Sequence, residues 1–147
     1  MTDISQRSTI ADDISARTGI TEALIGELVD RFYGRVRQDP VLAPVFARVS
    51  DWDDHLTRLR AFWSSVTLMT GRYQGRPMQK HFPLPIGTEH FDRWLALFEQ
   101  TAADVCPPTA AAVFVEKARR IADSFEMALA TQRGEIALPT RSRPAER

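Results

Sequence analysis

The chain has few of the residues and segments that mark several common classes of protein. Of its 147 residues only Cys106 is a cysteine, so an intrachain disulfide and a zinc site built from several thiolates are excluded. Basic and acidic residues number 19 each, and a formal net charge of zero argues against a general nucleic-acid binder. No apolar run approaches the roughly 20 residues that span a bilayer, so we expect no membrane association.

The amino terminus also lacks the pattern of a secretion signal, because residues 1–5 contain no basic segment and no apolar segment follows. A hydrophobic content of 44% is enough to bury a core without disulfides. We therefore expect a soluble, cytoplasmic protein with one domain at 21–133. An amino-terminal extension at 1–20, with a short helix near 10–17, would precede it, and the polar tail at 134–147 is expected to be disordered.

Apolar residues recur at helical spacing through most of the chain. Thr21 is a suitable cap for one such helix, which is predicted to end at Asp39, because a residue before proline avoids the helical region. Similar patterns predict a helix capped by Ser50, one capped by Thr88 and a long last helix from Thr109. Sustained alternation and Asn-Gly or Asp-Gly turns are absent, so the sequence predicts an all-α fold.

Three histidines and two aromatic donors are candidates for chemistry, and each also has an ordinary structural interpretation. His55 falls on an apolar helix face, where an imidazole either bonds a neighbour or faces an interior cavity. His81 lies in the Gly- and Pro-rich stretch 70–87 and is either an exposed loop histidine or a metal ligand. His90 lies in a first helical turn, where the helix dipole disfavours protonation. Tyr33 and Trp94 are either core aromatics or hydrogen-bond donors in a site.

Several short segments occur together in a specific order. They are Phe32-Tyr33, Trp52-Asp53-Asp54-His55, Phe62-Trp63, Lys80-His81-Phe82-Pro83-Leu84-Pro85 and Phe91-Asp92-Arg93-Trp94-Leu95-Ala96-Leu97-Phe98. In this combination the chain resembles the third group of truncated haemoglobins, over about residues 24–129. The other two groups typically carry Gly-Gly pairs, which this chain lacks. The resemblance implies a globin-like, two-over-two helical sandwich around haem b, iron protoporphyrin IX.

The resemblance also implies which residues surround the haem. His81 would be the proximal iron ligand, and Tyr33, His55 and Trp94 would form the distal pocket. Further haem contacts implied by the resemblance are Leu59, Trp63, Phe82 and Phe91, with Lys80 near the propionates. Arg72 and Arg76 are additional propionate candidates on the basis of their charge and loop position.

Such a protein would bind dioxygen, carbon monoxide, nitric oxide or similar small ligands reversibly, as in oxygen binding and transport. Tyr33 and Trp94 would donate hydrogen bonds to a ligand that carries partial negative charge. Because these donors would polarise nitrogen oxides and peroxide as well, a nitric oxide dioxygenase or peroxidase-like enzyme served by a reductase is an alternative. A haem-free helical interaction module of globin fold is a further alternative, in which His81 is exposed and aromatic side chains fill the pocket.

Overall fold

The protein is described from a computed structural model, which defines residues 4–73, 86–132 and 134. The helices of these residues are α1 (Ile4–Thr18), α2 (Glu22–Val36), α3 (Trp52–Leu68), α4 (Thr88–Val105) and α5 (Pro108–Gln132). No strand occurs in this part of the chain, which confirms the all-α prediction. None of its helices combines the length and the apolar character that crossing a bilayer would need.

The helices pack as two pairs. Helix α2 packs against α3, and α4 packs against α5; contacts of α2 with α4 and of α3 with α5 join the pairs into the expected two-over-two arrangement. Phe32 of α2, Phe98 of α4 and Phe114 of α5 are fully buried where these helices meet. Burial of an aromatic side chain of this size contributes about 1.5–3 kcal/mol, so the three rings are a major part of the stabilising core.

Helix α1 is longer than the predicted short helix at 10–17. It lies against α3 and α5, and Ile14 packs against the main core. The helix is followed by Gly19, whose φ of 81° is readily available only to glycine. The next residue, Ile20, is fully buried in the core. The amino-terminal segment is thus joined to the rest of the fold by apolar contacts.

Side-chain caps determine where α2 and α3 begin. The Thr21 hydroxyl accepts the Leu24 N–H at 3.1 Å, as predicted. For α3 the prediction of Ser50 as the cap is wrong, because the Asp51 carboxylate accepts the Asp54 N–H at 3.0 Å. A carboxylate is favoured there because its negative charge interacts with the positive end of the helix dipole.

The starts of α4 and α5 also differ from prediction by one residue. Gly87 is the cap of α4, and the hydroxyl of Thr88 is hydrogen-bonded to Glu126 of α5 instead of capping its own helix. Helix α5 begins at Pro108 and not at Thr109. Proline suits a first helical position, because its missing N–H would have no partner there.

The connection between α2 and α3 is a series of turns over 40–48. The Asp39 carboxylate accepts the N–H groups of Val41 and Leu42 at 3.1 and 3.0 Å. Its other oxygen accepts the Arg93 Nε–H of α4 at 2.7 Å. One nearly buried carboxylate thus fixes the connection internally and holds it against α4.

Candidate functional site

A cavity of about 410 Å³ lies between the helices and the 40–48 turns. This volume falls within the range of about 300–1,000 Å³ that is usual for cofactor and small-molecule sites. The described residues that line the cavity come from α2, the turns, α3, α4, α5 and the segments beside the helices. They are Tyr33, Leu42, Val45, Phe46, Arg48, Val49, His55, Arg58, Leu59, Phe62, Trp63, Tyr73, Ile86, His90, Phe91, Trp94, Ile121, Ala122 and Phe125.

The structure brings together on this cavity six of the residues that the resemblance implies as haem contacts or distal-pocket residues. They are Tyr33, His55, Leu59, Trp63, Phe91 and Trp94. Four further candidates, Arg76, Lys80, His81 and Phe82, lie outside the described residues. The expected distal residues therefore share one cavity, although they come from three different helices.

The arginines on the cavity differ from those suggested by the sequence. Arg72 is not among the described lining residues: its side chain is 60% exposed and lies 3.6 Å from the Glu22 carboxylate. Arg48 and Arg58 line the cavity instead. Arg58 follows His55 by three residues on α3, and this spacing could have predicted it, since such residues are neighbours on a helix surface. Arg48 lies in the turns, where no periodic pattern indicates an orientation.

Tyr33 presents a neutral hydroxyl at this site. The residue is only 5% exposed, and burial raises the pKa of its hydroxyl to about 12. A hydrogen bond with the Trp94 side chain lowers that pKa by a smaller amount. Because the indole N–H of Trp94 can only donate, it occupies an acceptor position of the phenol oxygen and leaves the Tyr33 proton available for another acceptor.

Stacked rings hold Trp94 in place. Its ring is stacked on Phe98 at 5.5 Å between centroids, and Phe98 is stacked on Trp63 at 5.1 Å. Phe32 packs edge-on against both Trp94 and Tyr33, at 5.6 and 4.7 Å. These contacts limit the rotamers that the two donors can adopt, so the donor geometry is set before any ligand binds.

Two histidines line the cavity with different roles. His55 has a buried Nε2 atom, and its ring centroid lies 6.2 Å from that of Tyr33. In His90, Nδ1 accepts the Gly87 N–H at 3.0 Å. A neutral imidazole that accepts at Nδ1 carries its proton on Nε2, which is the wrong tautomer for binding a metal through Nε2. The arrangement therefore disfavours His90 as a metal ligand.

The lining suits a large apolar cofactor that carries negative charge. Its walls are mainly aliphatic and aromatic side chains, among them Leu59, Phe91 and Ile121. Arg48 and Arg58 supply positive charge, and Arg58 also lies 3.0 Å from Asp54. Arginine suits carboxylate recognition because its guanidinium presents several donors in one plane.

Comparison with known proteins agrees with these features. Residues 16–131 match the family model described as bacterial-like globin. The chain is 33% identical over 113 residues to the group 3 truncated hemoglobin ctb of Campylobacter jejuni. This match covers 73% of this chain and 89% of that protein. It is 36% identical over 83 residues to the group 2 truncated hemoglobin YjbI of Bacillus subtilis, covering 52% of this chain and 61% of that protein.

The fold agrees with a solved structure as well. The crystal structure of the group III truncated hemoglobin from Campylobacter jejuni superposes with a TM-score of 0.70 at 34% sequence identity. The match covers 75% of this chain and 91% of the other. The chain therefore belongs to the bacterial-like globin family and, within it, to the group III truncated haemoglobins.

Proposed function

We propose that the protein holds haem b in this cavity and uses its iron to bind dioxygen and other diatomic ligands reversibly. The observation that carries the proposal is the meeting of Tyr33, His55 and Trp94 on a single cavity of cofactor size. Membership of the globin family supports it independently.

The described residues divide naturally between the parts of a haem group. Leu59, Trp63 and Phe91 would pack against the apolar macrocycle, and Arg48 and Arg58 would pair with its carboxylates. His81 is proposed as the iron ligand because the family resemblance implies that role. Lys80, Phe82 and Arg76 stay proposed haem contacts on the same segment, whereas the pairing of Arg72 with Glu22 makes Arg72 a weaker candidate.

Haem iron supplies an open coordination position for a diatomic molecule. The chain contributes the donors around that position. Since Trp94 donates to the Tyr33 oxygen, the Tyr33 O–H is free to donate to a partly negative ligand. A hydrogen bond of this charge-assisted kind contributes about 1.5–3 kcal/mol, which corresponds to about tenfold to a hundredfold slower ligand release.

The first test is an absorption spectrum of the haem-supplemented protein in its ferric, dithionite-reduced and carbon monoxide forms. We expect an intense Soret band that shifts cleanly when carbon monoxide is added to the reduced protein. The ferric and reduced spectra also report whether His55 or another side chain occupies the sixth iron position at rest. A folded, helical protein with no Soret band would contradict the proposal and favour the haem-free interaction module.

A second test assigns the iron ligand by comparing two histidines. In His81→Ala we expect loss of stable haem retention, because the iron loses its protein ligand. In the matched variant His90→Gln we expect the spectrum of the wild-type protein, since the His90 tautomer disfavours metal binding. Unchanged iron coordination in His81→Ala together with altered coordination in His90→Gln would transfer the role of ligand to His90.

A further inference from the structure

The imidazole of His55 is enclosed by aromatic rings from three parts of the chain. The ring centroid of Tyr33 in α2 lies 6.2 Å away, that of Phe46 in the turns 6.3 Å, and that of Trp52 5.3 Å. Trp52 and His55 are three residues apart in the first turns of α3, so their side chains share one face of the helix. The orientation of the imidazole therefore depends on its contacts with these three neighbouring rings.

Trp52 contacts His55 but does not itself line the cavity. It is half-buried and is not one of the described residues that line the cavity, whereas His55 and Phe46 both line it. Its ring is perpendicular to the imidazole, at an interplanar angle of 90°, and also packs against Phe46 at 6.2 Å. A swing of the imidazole toward Trp52 would have to displace this indole.

Trp52 is itself covered from the outside. The guanidinium carbon of Arg37, the residue that follows α2, lies 4.5 Å from the centroid of the Trp52 ring. A cation over the face of an indole is attracted by the negative charge of the ring face. This contact thus links the Trp52 ring of α3 to the carboxyl-terminal end of α2.

We propose that Trp52, fastened by Arg37, is a positioning residue that keeps the imidazole of His55 turned into the cavity and thereby slows the entry of diatomic ligands. This inference rests on the proposed function only for its effect on ligand entry. The positioning itself is a property of the chain, and it can be measured with or without haem.

The test compares replacements of Trp52 and Arg37 with conservative ones at the same positions. Trp52→Leu removes the ring and Trp52→Phe keeps one; Arg37→Met removes the charge and Arg37→Lys keeps it. Arg31→Met is the matched control, since Arg31 is an exposed arginine on α2 whose described ion pair is with Glu27 of the same helix. The readouts are the nuclear Overhauser contacts between the His55 and Tyr33 rings, which report the orientation of the imidazole, and the association rate of carbon monoxide after flash photolysis.

In Trp52→Leu we expect weaker Overhauser contacts between His55 and Tyr33 and about two- to tenfold faster association, because an aromatic contact of the imidazole is lost. In Arg37→Met we expect association about two- to fivefold faster, as the loss of a cation–π contact implies. Trp52→Phe and Arg37→Lys should restore most of the wild-type behaviour, and Arg31→Met should retain all of it.

Two outcomes would overturn the inference. A Trp52→Leu protein with a lower melting temperature but wild-type Overhauser contacts of His55 and a wild-type association rate would assign Trp52 a purely structural role. Equal carbon monoxide association rates in Arg37→Met and Arg37→Lys would show that the charge of Arg37 does not contribute to the positioning. If the wild-type protein takes up no haem, the proposed function fails separately, and the first outcome is then read from the Overhauser contacts of His55 in the cofactor-free proteins.

Discussion

The hydroxyl of Tyr33 is a hydrogen-bond donor whose strength does not vary with pH in the neutral range. Burial raises its pKa to about 12. For a group whose pKa is raised by folding, the associated stability is fully present below the unfolded value, near 10, and is lost as pH rises through about 12. The phenol therefore stays protonated at any pH at which the protein would work.

Tyr33→Phe should accelerate dioxygen release about tenfold or more, because the hydrogen bond to the ligand is lost while the ring is kept. The difference between wild type and variant should be the same at pH 6 and at pH 9, and stopped-flow replacement of dioxygen by carbon monoxide measures it. Equal release rates in the two proteins would show that Tyr33 does not contact the ligand. A difference that disappears by pH 9 would contradict the neutral hydroxyl.

The residues that the sequence could predict at this site are those whose orientation follows from helical periodicity. Tyr33, His55 and Trp94 repeat with the apolar faces of their helices, and they do line the cavity. Charge and loop position alone suggest Arg72, but its side chain lies beside Glu22. Long charged side chains have several rotamers of similar energy, so their partners depend on tertiary neighbours that a single sequence does not specify.

Among the elements, the 40–48 turns depend most on a single side chain. Asp39 joins the turns to α4 through Arg93, and the guanidinium beside it holds the pKa of the Asp39 carboxyl below its usual 3.8. A lowered pKa means that this stabilisation is present above the unfolded pKa and is lost as pH falls through the folded value. The link between turns and helix is therefore intact at neutral pH and weakens only in acid.

Asp39→Asn should lower the free energy of unfolding by about 1–3 kcal/mol at pH 7, because charge-assisted hydrogen bonds to a buried carboxylate are lost. The loss should shrink below about pH 4, where the Asp39 carboxyl of the unfolded wild-type chain takes up a proton before that of the folded protein does. Urea unfolding of wild type and variant at pH 7 and at pH 3 measures this loss of unfolding free energy at each pH. Asp13→Asn is the control, since the exposed Asp13–Arg17 pair is worth only about 0.3–0.5 kcal/mol; an equal loss in the two variants would reject the role of Asp39.

The limits of helices could be predicted only to within a residue or so. Asp51 and Ser50 are both good caps, and the choice between them depends on which one forms its bond to the helix backbone. Thr88 is also a good cap by type, but its hydroxyl is engaged by Glu126 from another helix. Local pattern fixes the presence of a helix, whereas competition among neighbours and tertiary partners fixes its ends.

At the scale of the whole molecule, periodicity identifies the buried face of each helix but not the helix that covers it. The apolar face of α2 predicts that Phe32 is buried, but its contacts with Trp94 and Phe98 of α4 come from the packing of separate segments. The family resemblance supplied that arrangement, and the two helix pairs agree with it.

The cavity also affects how the molecule responds to compression. About 410 Å³ is enclosed partly by the rings of Trp63 and Trp94, which are both stacked on Phe98 and cannot close the space without losing those contacts. Hydrostatic pressure favours unfolding more strongly in a protein whose internal voids are larger, because those voids are eliminated in the unfolded chain. A cofactor that fills the cavity would therefore make the fold more resistant to unfolding by pressure, in addition to its chemical role.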